Sequence, residues 1–208
     1  MEECAHPYKV LADGGVDITI CSVNGGDCTV NVDPDSMNLD ADEVKKGVWE
    51  DAAFQEKIKS TPALSAMKGT DFNAVFAVGG FGVMFDMYKN AEIGRVGREV
   101  YESGGMMAAV CHGPIALANI FLSDGTALVK DKTVTGFSNA EEDIVKIPIP
   151  KHDEGSSCED VLTHLGCKYT KAEAVFGACA VEDNRVISGQ NPASADGVGK
   201  LILQGLTA

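Results

Sequence analysis

Residues 106–110, Met-Met-Ala-Ala-Val, form a small-residue apolar run that stops at Cys111-His112-Gly113-Pro114. Apolar positions with helical spacing resume at once at Ile115, Leu117, Ala118, Ile120 and Phe121. A buried strand that feeds straight into a helix through Cys-His-Gly predicts a nucleophile elbow. The turn lifts the Cys111 side chain to the carboxyl edge of a sheet and sets it at a helix N-terminus. There, unpaired N–H groups and the positive end of the helix dipole favour a thiolate over a thiol. Gly113 suits the tight turn, and Pro114 suits a first helical turn, where no N–H is needed. The alternative is that Cys111 is one more small buried residue. Packing alone explains the junction poorly, because Ala would pack as well.

The rest of the chain alternates short apolar runs with amphipathic segments. Strands are predicted at 16–23, 73–78, 106–110 and 132–136, with a pair at 174–179 and 185–188 around a turn at 182–184. Helices are predicted at 8–12, 50–60, 91–103, 159–165 and 194–206, the last with Ser194 as N-cap. Segments 30–43 and 144–154 read as loops able to cover a site. Strand–helix alternation with near-continuous apolar strands predicts an α/β fold, a doubly wound, mostly parallel sheet with helices on both faces, in one domain over residues 1–208. In such sheets ligands sit at the carboxyl ends of the strands, where both Cys111 and Gly79-Gly80 fall.

The charge balance, 17 Lys+Arg against 31 Asp+Glu for a net −14, repels phosphate backbones and anionic lipid. Nucleic-acid and membrane-surface roles are therefore not expected. No apolar stretch approaches the roughly 20 residues needed to span a bilayer. Seven cysteines at irregular positions, without a Cys-x-x-Cys pair, predict free thiols in a reducing, cytoplasmic compartment. Cys158, His164 and Cys167 have atypical spacing for zinc and lack a fourth ligand, so no metal is expected.

A cysteine enzyme needs a base within reach of the thiol and an oxyanion site. His112 adjoins Cys111. Backbone N–H groups of His112 and of the Gly79-Gly80-Phe81-Gly82 loop could face a developing oxyanion, although a tight turn explains the glycines equally well. Glu141 and Glu142 follow Thr135-Gly136-Phe137-Ser138-Asn139 at the same sheet edge. Read alone, they fit a capped helix start as well as a catalytic acid. Spacing gives Glu3 no role.

Five motifs, taken together, carry a resemblance: Glu3-Cys4-Ala5-His6-Pro7-Tyr8, Val78-Gly79-Gly80-Phe81-Gly82, Ala108 to Pro114, Thr135 to Glu142, and Gly189-Gln190-Asn191-Pro192-Ala193-Ser194. In that order they span nearly the whole chain, which resembles the ThiJ/PfpI superfamily with its class I glutamine amidotransferase-like fold. Within it the chain is most similar to the small heat-shock-type branch of glutathione-independent glyoxalases (glyoxalase III, D-lactate dehydratase). The resemblance implies Cys111 as nucleophile and His112 as acid/base partner. It implies Glu142 as third member of the triad with Glu141 the neighbouring alternative, Glu3 hydrogen-bonded to the cysteine sulfur, and Gly79 and Gly80 at the oxyanion site. It implies a small dicarbonyl substrate (methylglyoxal or glyoxal), no cofactor and a homodimer. A holdase chaperone, a cysteine redox sensor, or a protein deglycase or peptidase of the same superfamily are the alternatives. This chain departs from the pattern in two places. Phe81 stands where the family usually has His, making the pocket rim more apolar. The family's first strand, ahead of the Glu3 motif, has no counterpart here, which predicts poor monomer stability or a strand borrowed from a partner.

Overall fold

A computed structural model describes residues 1–29, 37–151, 153 and 155–208. Among them a four-stranded sheet runs in the order β1 (Ala74–Ala77), β2 (Met106–Val110), β6 (Val186–Gly189) and β5 (Ala180–Asp183). β1, β2 and β6 are parallel, and β5 closes the edge antiparallel to β6. The register sets Ala77 beside Ala109 and Val110 beside Gly189, so the ends of three strands meet where the chain enters Cys111. A short parallel pair, β3 (Thr133–Val134) with β4 (Lys168–Tyr169), continues beside it.

β2 is buried at every residue, as a strand covered on both faces must be. On one face lies α5 (Ala91–Glu102), capped by Asn90 and contributing Ile93, Val96, Val100 and Tyr101 to the core with Met107 and Ala109. On the other lies α8 (Ala195–Thr207), whose Val198 and Ile202 pack on Met106, Ala108 and Ile187. α1 (Glu2–Asp13) lies against α8, where Gly199 leaves room for Pro7: a Cβ there would fall 2.9 Å from the Pro7 Cα. α2 (Glu43–Glu50) and α3 (Ala52–Lys59) form a satellite core with α1 through Val48, Phe54, Ile58 and Ala5. α4 (Val83–Asp86), α6 (Asn139–Val145) and α7 (Cys158–His164) surround the carboxyl edge of the sheet.

Several predicted elements differ from the structure. Residues 16–21 are extended but join no ladder, and Ser22 makes only an isolated bridge to Ala63. Val16, Ile18 and Ile20 turn inward and Asp17, Thr19 and Cys21 outward, so the alternation reported burial, not pairing. The predicted strand at 174–179 is a turn, with Phe176 at φ +61°, and the partner of β6 starts at Ala180. The first helix starts at Glu2, not Tyr8. It tolerates Pro7 inside, with the proline ring buried. α2 begins within the segment read as a loop at 30–43, of which residues 30–36 lie outside the described residues. The segment after Cys111 is a 3₁₀ helix, Gly113–Asn119, not an α-helix. Ser194 makes no cap bond; its hydroxyl accepts from the Cys179 N–H at 3.0 Å and donates to Asn191 Oδ1 at 3.0 Å.

Candidate active site

The elbow is held from both sides. The Cys111 N–H donates to the Gly189 carbonyl at 2.9 Å, extending the β2–β6 ladder, and the Phe137 N–H donates to the Cys111 carbonyl at 2.8 Å. Between these bonds Cys111 takes φ +61°, a left-handed conformation that a side chain adopts at a cost of about 1–2 kcal/mol. The conformational demand thus falls on the cysteine and not, as expected, on Gly113. Gly113 has a different necessity: a Cβ there would run into the Ala77 carbonyl at the end of β1.

His112 is fully buried and bonded at both ring nitrogens. Nδ1 lies 3.4 Å from Cys111 Sγ, and Nε2 lies 2.9 Å from Glu142 Oε1. The ring packs against both Phe81 and Phe137, each with its centroid 4.4 Å away. Cys158, at the start of α7, donates its thiol to the His112 carbonyl at 3.4 Å from behind. The imidazole therefore has one position, with a sulfur before it and a carboxylate after it. The sulfur-facing nitrogen can take a proton while the carboxylate fixes the tautomer and steadies the resulting cation.

Two adjacent acids divide two jobs. A helix turns about 100° per residue, so Glu141 and Glu142 point to different faces of α6. Glu141 is fully buried and completes a capping box, accepting from the Ser138 N–H at 2.8 Å and the Ser138 hydroxyl at 2.7 Å. Its other oxygen accepts from Asn191 Nδ2 at 2.8 Å and from the Phe176 N–H at 3.2 Å. Glu141 thus ties together three loops around the site, and Glu142 alone reaches His112. Sequence reasoning gave neither this tie nor the Phe137 stack. The signal available was the cap pattern Ser138-x-x-Glu141, which assigns Glu141 to the helix start.

Glu3, on α1, hydrogen-bonds Cys111. Burial raises the Glu3 carboxyl above the ordinary glutamate range, and its hydrogen bond to Cys111 partly offsets this. For Cys111, burial first and then the Glu3 charge and hydrogen bond push the thiol far above the usual thiol range, against a small lowering by the His112 backbone N–H. Burial and the Glu3 carboxyl thus act against the thiolate that the sequence predicts at this turn. A short 3₁₀ segment offers little dipole, and a neighbouring carboxylate in a dry site outweighs it. Gly79 is wedged between these groups. A Cβ on it would run into Glu3 Oε2 and would fall 2.5 Å from the Val110 carbonyl and 2.9 Å from Cys111 Cβ. Gly80 takes φ +104°, which turns the chain away from the end of β1. Glu3 Oε2 and Glu142 Oε2 are buried polar atoms without a partner among the described residues. No group of three or more His, Cys, Asp or Glu residues placed to hold a metal occurs among the described residues.

An open, mainly parallel α/β sheet with a Cys–His–Glu relay on a strained turn at its carboxyl edge defines the class of this protein. The chain belongs to the DJ-1/PfpI family, whose model matches residues 1–204. It is 31% identical over 199 residues to "Glyoxalase 3" of Candida albicans, covering 93% of this chain and 83% of the relative. It is 28% identical over 198 residues to the "Glutathione-independent glyoxalase HSP31" of Saccharomyces cerevisiae, covering 93% and 82%. Among solved structures, the Rapid Encystment Protein of Francisella tularensis superposes with a TM-score of 0.86 at 32% identity, covering 99% of this chain and 88% of that one. Glyoxalase III of Candida albicans superposes with a TM-score of 0.84 at 27% identity, covering 98% and 86%.

Proposed function

We propose that this chain is a glutathione-independent glyoxalase that converts methylglyoxal to D-lactate with Cys111 as nucleophile. The observation that carries the reading is the unbroken relay from Cys111 Sγ through both nitrogens of His112 to Glu142. The relatives named glyoxalases, at 28–31% identity, support the reaction class.

As the sulfur of Cys111 adds to the substrate aldehyde, its proton passes to His112 Nδ1. Glu142 steadies the imidazolium. The product is a hemithioacetal whose C1 still carries its hydrogen. His112, neutral again once it has protonated the new alkoxide, removes the C1 proton to give an enediolate and returns a proton to C2. C1 is oxidised as C2 is reduced, so the isomerisation balances without an external oxidant or reductant. The resulting thioester on Cys111 is hydrolysed to lactate, and the thiol is restored. N–H groups of the Gly79-Gly80 turn are the oxyanion donors of this reading. The Phe81 and Phe137 rings keep water from the imidazole and favour a small substrate.

A cytoplasmic homodimer is part of this proposal. The seven cysteines are all free, and no helix is long and apolar enough to cross a membrane among the described residues. Exposed Ile144, Ile147, Val175 and Phe176 supply an apolar surface near the site for a second copy. The test of function is incubation with methylglyoxal in the absence of glutathione, followed by chiral lactate analysis. D-Lactate from the wild type, with Cys111→Ala below about 1% of that rate, is expected from loss of the nucleophile. Equal lactate from both proteins would overturn the assignment.

A further inference from the structure

The turn that opens α7, Ser157-Cys158-Glu159-Asp160, grips both ends of the His112–Glu142 pair. One arm is sulfur. Cys158 is fully buried, and its thiol donates to the His112 carbonyl at 3.4 Å. The N–H groups of Ile115 and Phe137 donate to the same sulfur, and the Phe137 N–H also holds the Cys111 carbonyl at 2.8 Å. Gly136 allows this approach, because a Cβ there would fall 3.2 Å from Cys158 Cβ. The other arm is polar and ends on Asn139. The Ser157 hydroxyl donates to Asn139 Oδ1. Glu159 Oε2 accepts from the Asn139 N–H, and Asp160 Oδ1 accepts from Asn139 Nδ2, each at 2.8 Å. Asn139 begins α6, just under one helical turn ahead of Glu142. Four consecutive residues thus tie the backbone of His112 to the start of the helix that carries Glu142.

We propose that Cys158 is a positioning residue of the relay: its turn is a bracket that sets the 2.9 Å contact between His112 Nε2 and Glu142 Oε1, and its thiol holds the His112 end. The inference deepens the glyoxalase reading and rests on it for its kinetic test. A shift of about 1 Å in a reacting group can cost roughly a hundredfold in rate, so a relay of two hydrogen bonds needs both of its ends fixed. The thiol is a constant donor. Burial first, and then the Glu142 charge, push it far above the ordinary thiol range, so it keeps its proton wherever the enzyme works. The competing account is packing alone, since the sulfur also lies 3.9 Å from Met84 Sδ. The two accounts separate cleanly. Lost packing lowers stability without singling out the His112–Glu142 contact, whereas a lost bracket acts through that contact and through nothing else.

The test is a double-mutant cycle between Cys158→Ala and Glu142→Ala, read in two ways. In methylglyoxal turnover, Cys158→Ala should lower kcat about tenfold with KM within about twofold of wild type. On the Glu142→Ala background it should lower kcat by less than about twofold, because the contact it positions is already gone. Cys158→Ser keeps a donor and should return kcat to within about threefold of wild type. Ser157→Ala cuts the other arm, should give the same pattern, and serves if Cys158→Ala does not fold. The second readout is proton NMR of the free protein. The downfield imidazole N–H resonance that Glu142→Ala abolishes should move upfield in Cys158→Ala and keep its place in Cys158→Ser. Unchanged kcat in Cys158→Ala, an equal loss on both backgrounds, or an unmoved imidazole resonance would overturn the proposal. The two readings fail separately. If the wild type made no lactate, the glyoxalase reading would fall and the resonance would still decide the bracket. Lactate from the wild type with an unmoved resonance would remove the bracket and leave the glyoxalase reading standing.

Discussion

At the residue scale the site is governed by how Cys111 and Glu3 share one dry space. Glu3 raises the thiol, so Glu3→Gln should lower the Cys111 titration midpoint, read as thiolate absorbance or as the pH dependence of alkylation. An unchanged or higher midpoint would remove Glu3 from the account. The stability consequence has a definite sign. The folded Glu3 carboxyl lies above its unfolded value of 4.5, so its contribution is most favourable below pH 4.5 and is lost as pH rises through the folded value. Glu3→Gln should therefore be more stable than wild type at neutral pH, with the gap closing in acid. Glu142→Gln keeps a hydrogen bond to His112 but removes the charge that steadies the imidazolium. It should cut kcat by roughly 10²–10⁴ while leaving the melting temperature nearly unchanged. Glu141 and Glu142 also mark the limit of the sequence. The pattern Ser138-x-x-Glu141 marks Glu141 as the cap acid, but only the rotation of α6 carries Glu142 to His112.

At the scale of elements the turn at Cys111 was legible because hydrophobic period changes there without a linker. Its backbone was not, since no pattern says that the cysteine and not the glycine takes the left-handed conformation. The extended segment 16–23 misled for a related reason: alternation reports which side chains are buried, while ladder formation depends on a neighbour far along the chain. The run at 174–179 is apolar because it lies over the site, with Phe176 facing Phe137, not because it pairs. Loops around the relay depend on the buried Glu141 carboxyl. Glu141→Ala leaves the Ser138 N–H, the Ser138 hydroxyl and the Phe176 N–H without an acceptor and takes one of two from Asn191 Nδ2; it should cost on the order of 3 kcal/mol, or roughly 6–12 °C in melting temperature, measured by thermal denaturation. A loss below about 1 kcal/mol would mean that water replaces the carboxyl without penalty.

For the whole molecule, a net charge of −14 on 208 residues repels itself in the compact state. Raising ionic strength from near zero to about 0.15 M should raise the melting temperature, because the Debye length then falls to about 8 Å and the diffuse repulsion is screened before the buried relay is affected. The mainly parallel sheet brings three strand ends together at Cys111, so the relay is a consequence of the topology. The relay makes the central claim: a covalent isomerisation in which substrate passes through Cys111. Its most direct test is rapid acid quench of the protein during methylglyoxal turnover, followed by peptide mass spectrometry. The account predicts a substrate-derived acyl group on Cys111 alone, appearing and decaying with the lactate time course. Lactate formed with Cys111 unmodified throughout, or with the adduct on another cysteine, would contradict it.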